Sequence, residues 1–240
     1  MFKDQFTAVE REKLVELSVS TLWEKDGKPG LDYLVEQRKL KESVIKDFKL
    51  GYVPSYVEHQ LANRIIFPIY DSSDNLIALH TYSISDESKG LPKYWHEKFR
   101  KSFYLYGLNS AKHRIRERGF VLVVEGNFDL LQCHNNDLTN SVAMFGKALS
   151  LHQIALLIRY TDKIVLGFDG DNAGKSGQEK TSIEMKEFTS VVPPVFSLTG
   201  VEWPELKTKT DPDEYIRENG IRSFKILVQK ALNKLKPCQN

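Results

Sequence analysis

Three groups of carboxylates are spaced so that they could hold metal ions. Glu125 opens the run Glu125-Gly-Asn-Phe-Asp129, Asp169 and Asp171 flank Gly170, and Asp211-Pro-Asp213-Glu214 follows further on. The first two groups come directly after short apolar runs, Val121-Leu-Val-Val124 and Ile164-Val-Leu-Gly-Phe168. A carboxylate at the tip of an apolar strand is costly unless compensated, and several close together repel one another and raise their pKa values. A divalent cation removes that cost. Magnesium takes a few carboxylates together with waters and substrate phosphates, and two such ions can clamp the attacking and leaving oxygens of a phosphoryl transfer. Gly126 and Gly170 leave room for backbone and phosphate to approach. The same acids could also cap helices, since Asp129 and Asp171 stand near expected helix starts; their grouping at strand ends favours metal.

The elements around them must bring those strand ends together. Short strands alternating with helices read from residue 120 onward: strand Phe120 to Val124, helix Asp129 to Asn135, strand Ser141 to Met144, helix Ser150 to Tyr160, strand Ile164 to Phe168, helix 174–188 and strand Val191 to Leu198, with helix again from Asp213. Such alternation predicts a parallel sheet with right-handed crossovers, and ligands bind beyond the carboxyl ends of its strands. The first fifty residues read instead as helices: one holding Val9 to Leu22, a second from Leu31 to Gln37 and a third from Glu42 to Phe48, with Gly51 as a stop. Arg64 to Tyr70 and Leu76 to Tyr82, either side of Ser72-Ser-Asp-Asn75, read as strand, turn, strand, and residues 83–93 as a polar loop.

Charge is unevenly spread. The chain has a net charge of +2, but Lys93 to Arg118 holds eight bases (Lys93, Lys98, Arg100, Lys101, Lys112, Arg114, Arg116, Arg118) against Glu97 and Glu117. Tyr94, Trp95, Phe99, Phe103, Tyr104 and Tyr106 are interleaved with them, a mixture suited to neutralising phosphates and stacking bases. The same pattern is compatible with a solvated charged face over a core stripe of rings. No apolar run is long enough to span a membrane. The amino terminus, MFKDQFTAVEREK, lacks the apolar stretch of a signal peptide, and the two cysteines, Cys133 and Cys238, are too few for a zinc site and suit free thiols in a reducing cytoplasm.

The run Glu125-Gly-Asn-Phe-Asp129 followed by Asp169-Gly-Asp171 resembles the two signatures of the TOPRIM domain, shared by primases, type IA and II topoisomerases and some nucleases. The surroundings resemble the bacterial DnaG-like replicative primases from about residue 10 to residue 225. The segments that carry this are Leu31-Asp-Tyr-Leu34 through Gly51-Tyr-Val-Pro54, Arg64-Ile-Ile-Phe-Pro-Ile69, Pro92-Lys-Tyr94, Leu105-Tyr-Gly-Leu108, Ala143-Met-Phe-Gly-Lys-Ala-Leu149, Phe168-Asp-Gly-Asp-Asn-Ala-Gly174 and Asp211-Pro-Asp-Glu-Tyr-Ile216. Two features depart from that family: there is no zinc ribbon, and little chain follows the last motif, as in a catalytic-core piece or a minimal primase of a virus or mobile element. Locally, His80-Thr-Tyr82 stands where many members have a glycine-rich segment ending in Arg, and Trp95-His96 replaces a Leu-Asn.

The resemblance implies an α/β fold: a TOPRIM-type parallel sheet flanked by helices over residues 118–218, a mixed α+β subdomain with a basic groove over 1–117, and a short helical segment at 219–240. It implies template-directed synthesis of RNA primers from nucleoside triphosphates on single-stranded DNA, with two or more Mg2+ or Mn2+ ions and no zinc in this chain. Glu125, Asp169 and Asp171 would be the catalytic metal ligands, with Asp129, Asp211 and Asp213 completing or orienting the set. Arg64, Lys93, Tyr94, Lys98, Arg100, Lys101, Lys147 and Lys175 would meet template or nucleotide. A helicase or a zinc-ribbon protein in trans is an implied partner, a monomer the expected state, and the cytoplasm of a bacterial or phage-infected cell the expected location. A TOPRIM nuclease and a non-catalytic replication accessory are the alternatives, the second weakened by acids that would repel phosphate on a binding-only surface.

Overall fold

The computed structural model describes residues 5–57, 60–85, 92–191, 197–202 and 210–235, with side chains omitted from 185 to 191. The chain divides into two units, Met1–Phe99 and Arg100–Asn240.

In the first unit, helix α1 (Ala8–Leu22) starts at a capping box: Glu10 N–H donates to Thr7 Oγ1, and the Thr7 N–H donates to the Glu10 carboxylate. Its buried residues, Arg11, Val15, Ser18 and Leu22, recur at helical spacing and form one stripe. Helix α2 (Lys28–Asp32) runs on into a single π turn (Tyr33–Gln37), and α3 (Glu42–Asp47) follows. Strands β1 (Gly51–Val53), β2 (Arg64–Tyr70), β3 (Leu76–Ser83) and β4 (Tyr94–His96) form an antiparallel sheet in that order. Gly51 therefore opens a strand rather than ending a helix. It lies opposite Ile66, and a Cβ there would come within 2.2 Å of Ser18 Oγ on α1. Strand β4 lies inside the stretch read only as basic and aromatic; residues 86–91 of the expected loop lie outside the described residues.

Register fixes the two faces of this sheet. Ile66, Leu79 and Trp95 pack with Phe6 and Val15 on the α1 side. Residues at the alternate positions, Tyr52, Ile65, Phe67, His80, Tyr82, Tyr94 and His96, point the other way.

In the second unit, α4 (Leu108–Arg118) leads into β5 (Val121–Val124), α5 (Asn127–Asn135), β6 (Ser141–Ala143), α6 (Leu151–Leu157), β7 (Lys163–Gly167), α7 (Asn172–Val191), β8 (Ser197–Gly200) and α8 (Pro212–Leu232). The strands are all parallel, in the order β6-β5-β7-β8. β5 is buried at every residue, as a strand covered on both faces must be. Val121, Val123, Val142, Ile164 and Leu166 meet Leu108, Ala111 and Ile115 of α4 and Ile154 and Leu157 of α6. The last strand begins later than its apolar pattern suggests: Val191 still belongs to α7, residues 192–196 lie outside the described residues, and pairing with β7 starts at Ser197. Among the described residues no helix is long and apolar enough to cross a membrane.

Candidate active site

The acids meet at the carboxyl ends of β5 and β7. Glu125, the residue after β5, accepts the backbone N–H of Asp169, the second residue after β7, on Oε1 at 2.9 Å. This ties the two neighbouring strand ends together. The loop that follows is held from the other side, since Gly170 N–H donates to the carbonyl of Thr210 at 2.8 Å. Asp171 then begins α7 by accepting the Gly174 N–H on Oδ1 at 2.8 Å. Asp211 does the same for α8, accepting from Glu214 N–H at 2.7 Å. Capping and clustering thus coexist: the bonds that start the helices also aim the acids.

Asp129 and Asp213 stand apart from the rest in what occupies them. Asp129 is buried, and its two oxygens accept the N–H groups of Gly126 (2.9 Å) and Asp213 (3.0 Å), bracing the turn after β5 against the start of α8. Burial pushes its carboxyl well above the ordinary carboxylate value, and the charges of Asp211, Asp169 and Asp213 push it further. Asp213 is buried as well and pairs with Arg217, Nε to Oδ1 at 3.0 Å. Glu125, Asp169, Asp171 and Asp211 remain half-buried, in reach of solvent and of a cation.

All these donors are hard carboxylate oxygens, which suit a divalent cation that prefers oxygen. Among the described residues, no three His, Cys, Asp or Glu side chains are close enough to hold a metal by themselves. That matches an ion taking only one or two carboxylates and filling its remaining positions from waters and phosphates. Cys133 is buried, and its thiol is pushed up by burial, so it offers no thiolate; Cys238 lies outside the described residues.

The predicted basic contacts are distributed differently from the acids. Lys147 and Lys175 are both exposed near the start of α7: Lys175 is in its first turn, and the loop holding Lys147 passes so close that a Cβ on Gly177 would lie 2.3 Å from the Lys147 carbonyl oxygen. Lys98 and Arg100 are exposed; Lys101 is half-buried, and burial lowers its pKa. Arg64 is not at the surface. Its guanidinium is buried on the α1 side of the sheet, donating to Thr81 Oγ1 (2.8 Å) and to the carbonyls of Pro92 (2.6 Å) and Lys93 (2.8 Å). Burial lowers its pKa to about 10. Tyr94 projects from the opposite face, so Arg64 supports the Lys93-Tyr94 backbone from behind rather than sharing its surface. Arg64→Ala should cost about 2–3 kcal/mol by stranding those carbonyls, seen as a thermal midpoint lowered by several degrees; an unchanged midpoint would contradict this role.

Sequence reasoning missed the companions of Lys93 and Tyr94. Tyr82 stacks on Tyr33 at 5.6 Å and meets Tyr94 edge-on at 4.8 Å, with Arg38 Cζ and Lys93 Nζ each 5.5 Å from its ring centre. Burial alone would raise the Tyr82 hydroxyl, but the hydrogen bond with Tyr33 and the cations Arg38 and Lys93 outweigh it and hold it below the ordinary phenol value. The signal was the alternation of 80 with 82 and of 94 with 96 in strands that pair.

Comparison with known proteins places this geometry. A family described as Toprim-like matches residues 122–216, the span from β5 into α8 that carries every acid above. The DNA primase of Clostridium acetobutylicum is 34% identical over 74% of this chain and 28% of its own length, and that of Aquifex aeolicus is 31% identical over 82% and 44%. The chain belongs to the DnaG-like primase family. This primase-family chain spans less than half the length of these curated relatives. Among solved structures, the E. coli primase catalytic core superposes with a TM-score of 0.79 at 22% identity, over 93% of this chain and 80% of the other. The Aquifex aeolicus primase structure, with its zinc-binding and RNA polymerase domains, gives 0.75 at 24% over 95% and 62%. The fold is that of the DnaG catalytic core, with an antiparallel sheet in one unit and a parallel Toprim-type sheet in the other.

Proposed function

We propose that this chain joins ribonucleotides on a single-stranded DNA template in a metal-dependent reaction, as the catalytic core of a primase. The observation that carries this is the bond between Glu125 and the Asp169 backbone, which unites two acid-bearing strand ends inside a Toprim-like unit. In the reaction the 3′-hydroxyl of one nucleotide attacks the α-phosphorus of the next, the bond to the β-phosphate bridging oxygen breaks, and pyrophosphate leaves. Bound Mg2+ or Mn2+ would make that hydroxyl more acidic and neutralise phosphate charge. Glu125, Asp169 and Asp171 would share the cations, one or two carboxylates to each ion with waters and phosphates completing the shell, and Asp211 would be a further contact. Asp129 and Asp213 would keep the turn after β5 and the start of α8 in register, a positioning role consistent with their backbone and Arg217 partners. Lys147 and Lys175 would meet the triphosphate, and Lys93, Tyr94, Lys98, Arg100 and Lys101 the template or incoming nucleotide.

The test is synthesis on short single-stranded DNA templates with labelled ribonucleotides and Mg2+ or Mn2+, with a chelator in parallel and with a zinc-ribbon primase domain or replicative helicase added in trans. Template-dependent oligomers that vanish with chelation support the reading. Shortening of labelled DNA without any nucleoside triphosphate would support the nuclease instead. In the same assay Gly174→Ala should lower synthesis about tenfold to a hundredfold, since its Cβ would fall 2.1 Å from the Asp169 carbonyl oxygen and displace the loop that aims Asp169 and Asp171. Activity at the wild-type level would show that the loop tolerates the shift.

A further inference from the structure

The face of the antiparallel sheet turned away from α1 carries more rings than packing requires. Register puts Phe67, His80 and His96 in one row across β2, β3 and β4, and Ile65, Tyr82 and Tyr94 in the next. The rings touch in sequence: Phe67 to His80 at 5.9 Å, His80 to Tyr94 at 5.8 Å, His80 to His96 at 6.1 Å and His96 to Phe99 at 6.1 Å. Burial falls steadily along this path. Phe67 is fully buried, His80, His96 and Phe99 are half-buried, and Tyr94 on the edge strand β4 is 51% exposed. Packing accounts for the buried end but not for the exposed one, where a rim of rings faces outward.

The His96 ring is fixed in orientation. Its Nδ1 lies 2.7 Å from the Glu97 carbonyl oxygen, which can only accept, so Nδ1 carries a proton and this bond holds the ring in place. Lys93 and Lys98 flank β4 and are exposed, β3 and β4 contain no acid, and Glu97 is turned to the other face, where it pairs with Arg11. Clustered rings, tilted and edge-on to one another and bordered by exposed lysines, suit a strand of unpaired bases, whose phosphates the lysines would neutralise while the bases stack.

We propose that His80, His96 and Phe99, together with Tyr94, form a base-stacking strip for single-stranded nucleic acid on this face of the sheet. The inference deepens the proposed function by naming how template would be gripped, and it rests on that reading. The strip binds by ring contact rather than by charge. Removing a ring should therefore weaken binding without altering its dependence on salt, because salt dependence counts neutralised phosphates.

The experiment measures anisotropy of a labelled oligothymidylate and of an abasic oligomer of equal length, at pH 8 over a range of salt, with the wild-type chain and with His96→Ala, Phe99→Ala and His96→Phe. The expected result is that the wild type prefers the oligothymidylate, His96→Ala and Phe99→Ala each lose about tenfold affinity for it, and His96→Phe keeps most of it. Binding to the abasic oligomer and the salt slope should stay unchanged in all. Thermal melts identify any variant that fails to fold, and the folded ones decide the matter. Equal wild-type binding to both oligomers, or undiminished binding by a folded His96→Ala/Phe99→Ala chain, would overturn the strip and leave the rings to another kind of partner. Asp169→Asn separates this from the catalytic reading: it should bind DNA as the wild type does, so loss of ring-dependent binding and loss of synthesis fail independently.

Discussion

Asp169→Asn is expected to lower nucleotide joining by about a thousandfold, the loss of roughly 4 kcal/mol of transition-state stabilisation. The substitution keeps the shape of the side chain and leaves the Asp169 N–H bond to Glu125 in place, so the strand ends stay tied. What it removes is one negative charge among several. Without a cation those charges work against the fold: Asp169 is one of the neighbours holding the Asp129 carboxyl above its ordinary value. A carboxyl whose pKa is raised by folding contributes stability at low pH that is lost as pH rises through the folded value. Metal-free wild type should therefore melt higher as pH is lowered from neutral into the range just above the ordinary carboxylate pKa, and Asp169→Asn should show a shallower dependence. Added Mg2+ or Mn2+ should raise the wild-type midpoint, because an ion bound only by the folded state stabilises it by mass action, and should raise the variant's far less. Synthesis within tenfold of wild type together with an undiminished metal shift would remove Asp169 from the metal site.

The acids could be read from the sequence because each follows a buried parallel strand whose apolar run is continuous, as at Val121 to Val124, and such runs end where ligands bind. Two bounded errors came from the same source. A strand as short as Gly51–Val53 has no periodicity to distinguish it from a helix stop, and Val191 carries the β-branched side chain of a strand while ending a helix. The cationic residues were harder, because the type of a residue does not reveal which face it takes. Arg64 and Tyr94 belong to one sheet, yet register sends them to opposite sides. Only the parity of each position relative to Ile66, Thr81 and Trp95 decides that. The ring strip was hidden for a related reason: His80 and His96 are sixteen positions apart in sequence and become neighbours only through the β3–β4 pairing.

Glu97 shows how far composition can mislead, and replacing it should have the largest effect on stability of any change considered for the first unit. Counted along the chain it is a minor acid in a basic stretch. In the fold its side chain is 1% exposed and accepts four hydrogen bonds: Oε1 from Phe6 N–H (2.8 Å) and Arg11 Nη2 (3.1 Å), Oε2 from Arg11 Nε (2.8 Å) and Leu79 N–H (2.8 Å). It thus joins the lead-in to α1, α1 itself and the middle of β3. Glu97→Gln leaves a buried guanidinium without its counter-charge and turns an amide donor toward groups that donate, which should cost about 3–5 kcal/mol. For a chain of this size that lowers the thermal midpoint of the unit by about 10 °C. Glu117→Gln provides the contrast, since its pair with Arg114 is 58–59% exposed, and pairs of that kind contribute at most about 1 kcal/mol. An apolar double replacement, Arg11→Met with Glu97→Met, tests which part of the network matters. It abolishes the stranded charge but leaves the N–H groups of Phe6 and Leu79 without their acceptor, so stability should recover only in part relative to Glu97→Gln alone. Full recovery would mean that the ion pair was the whole of the effect, and no recovery that the two backbone bonds were.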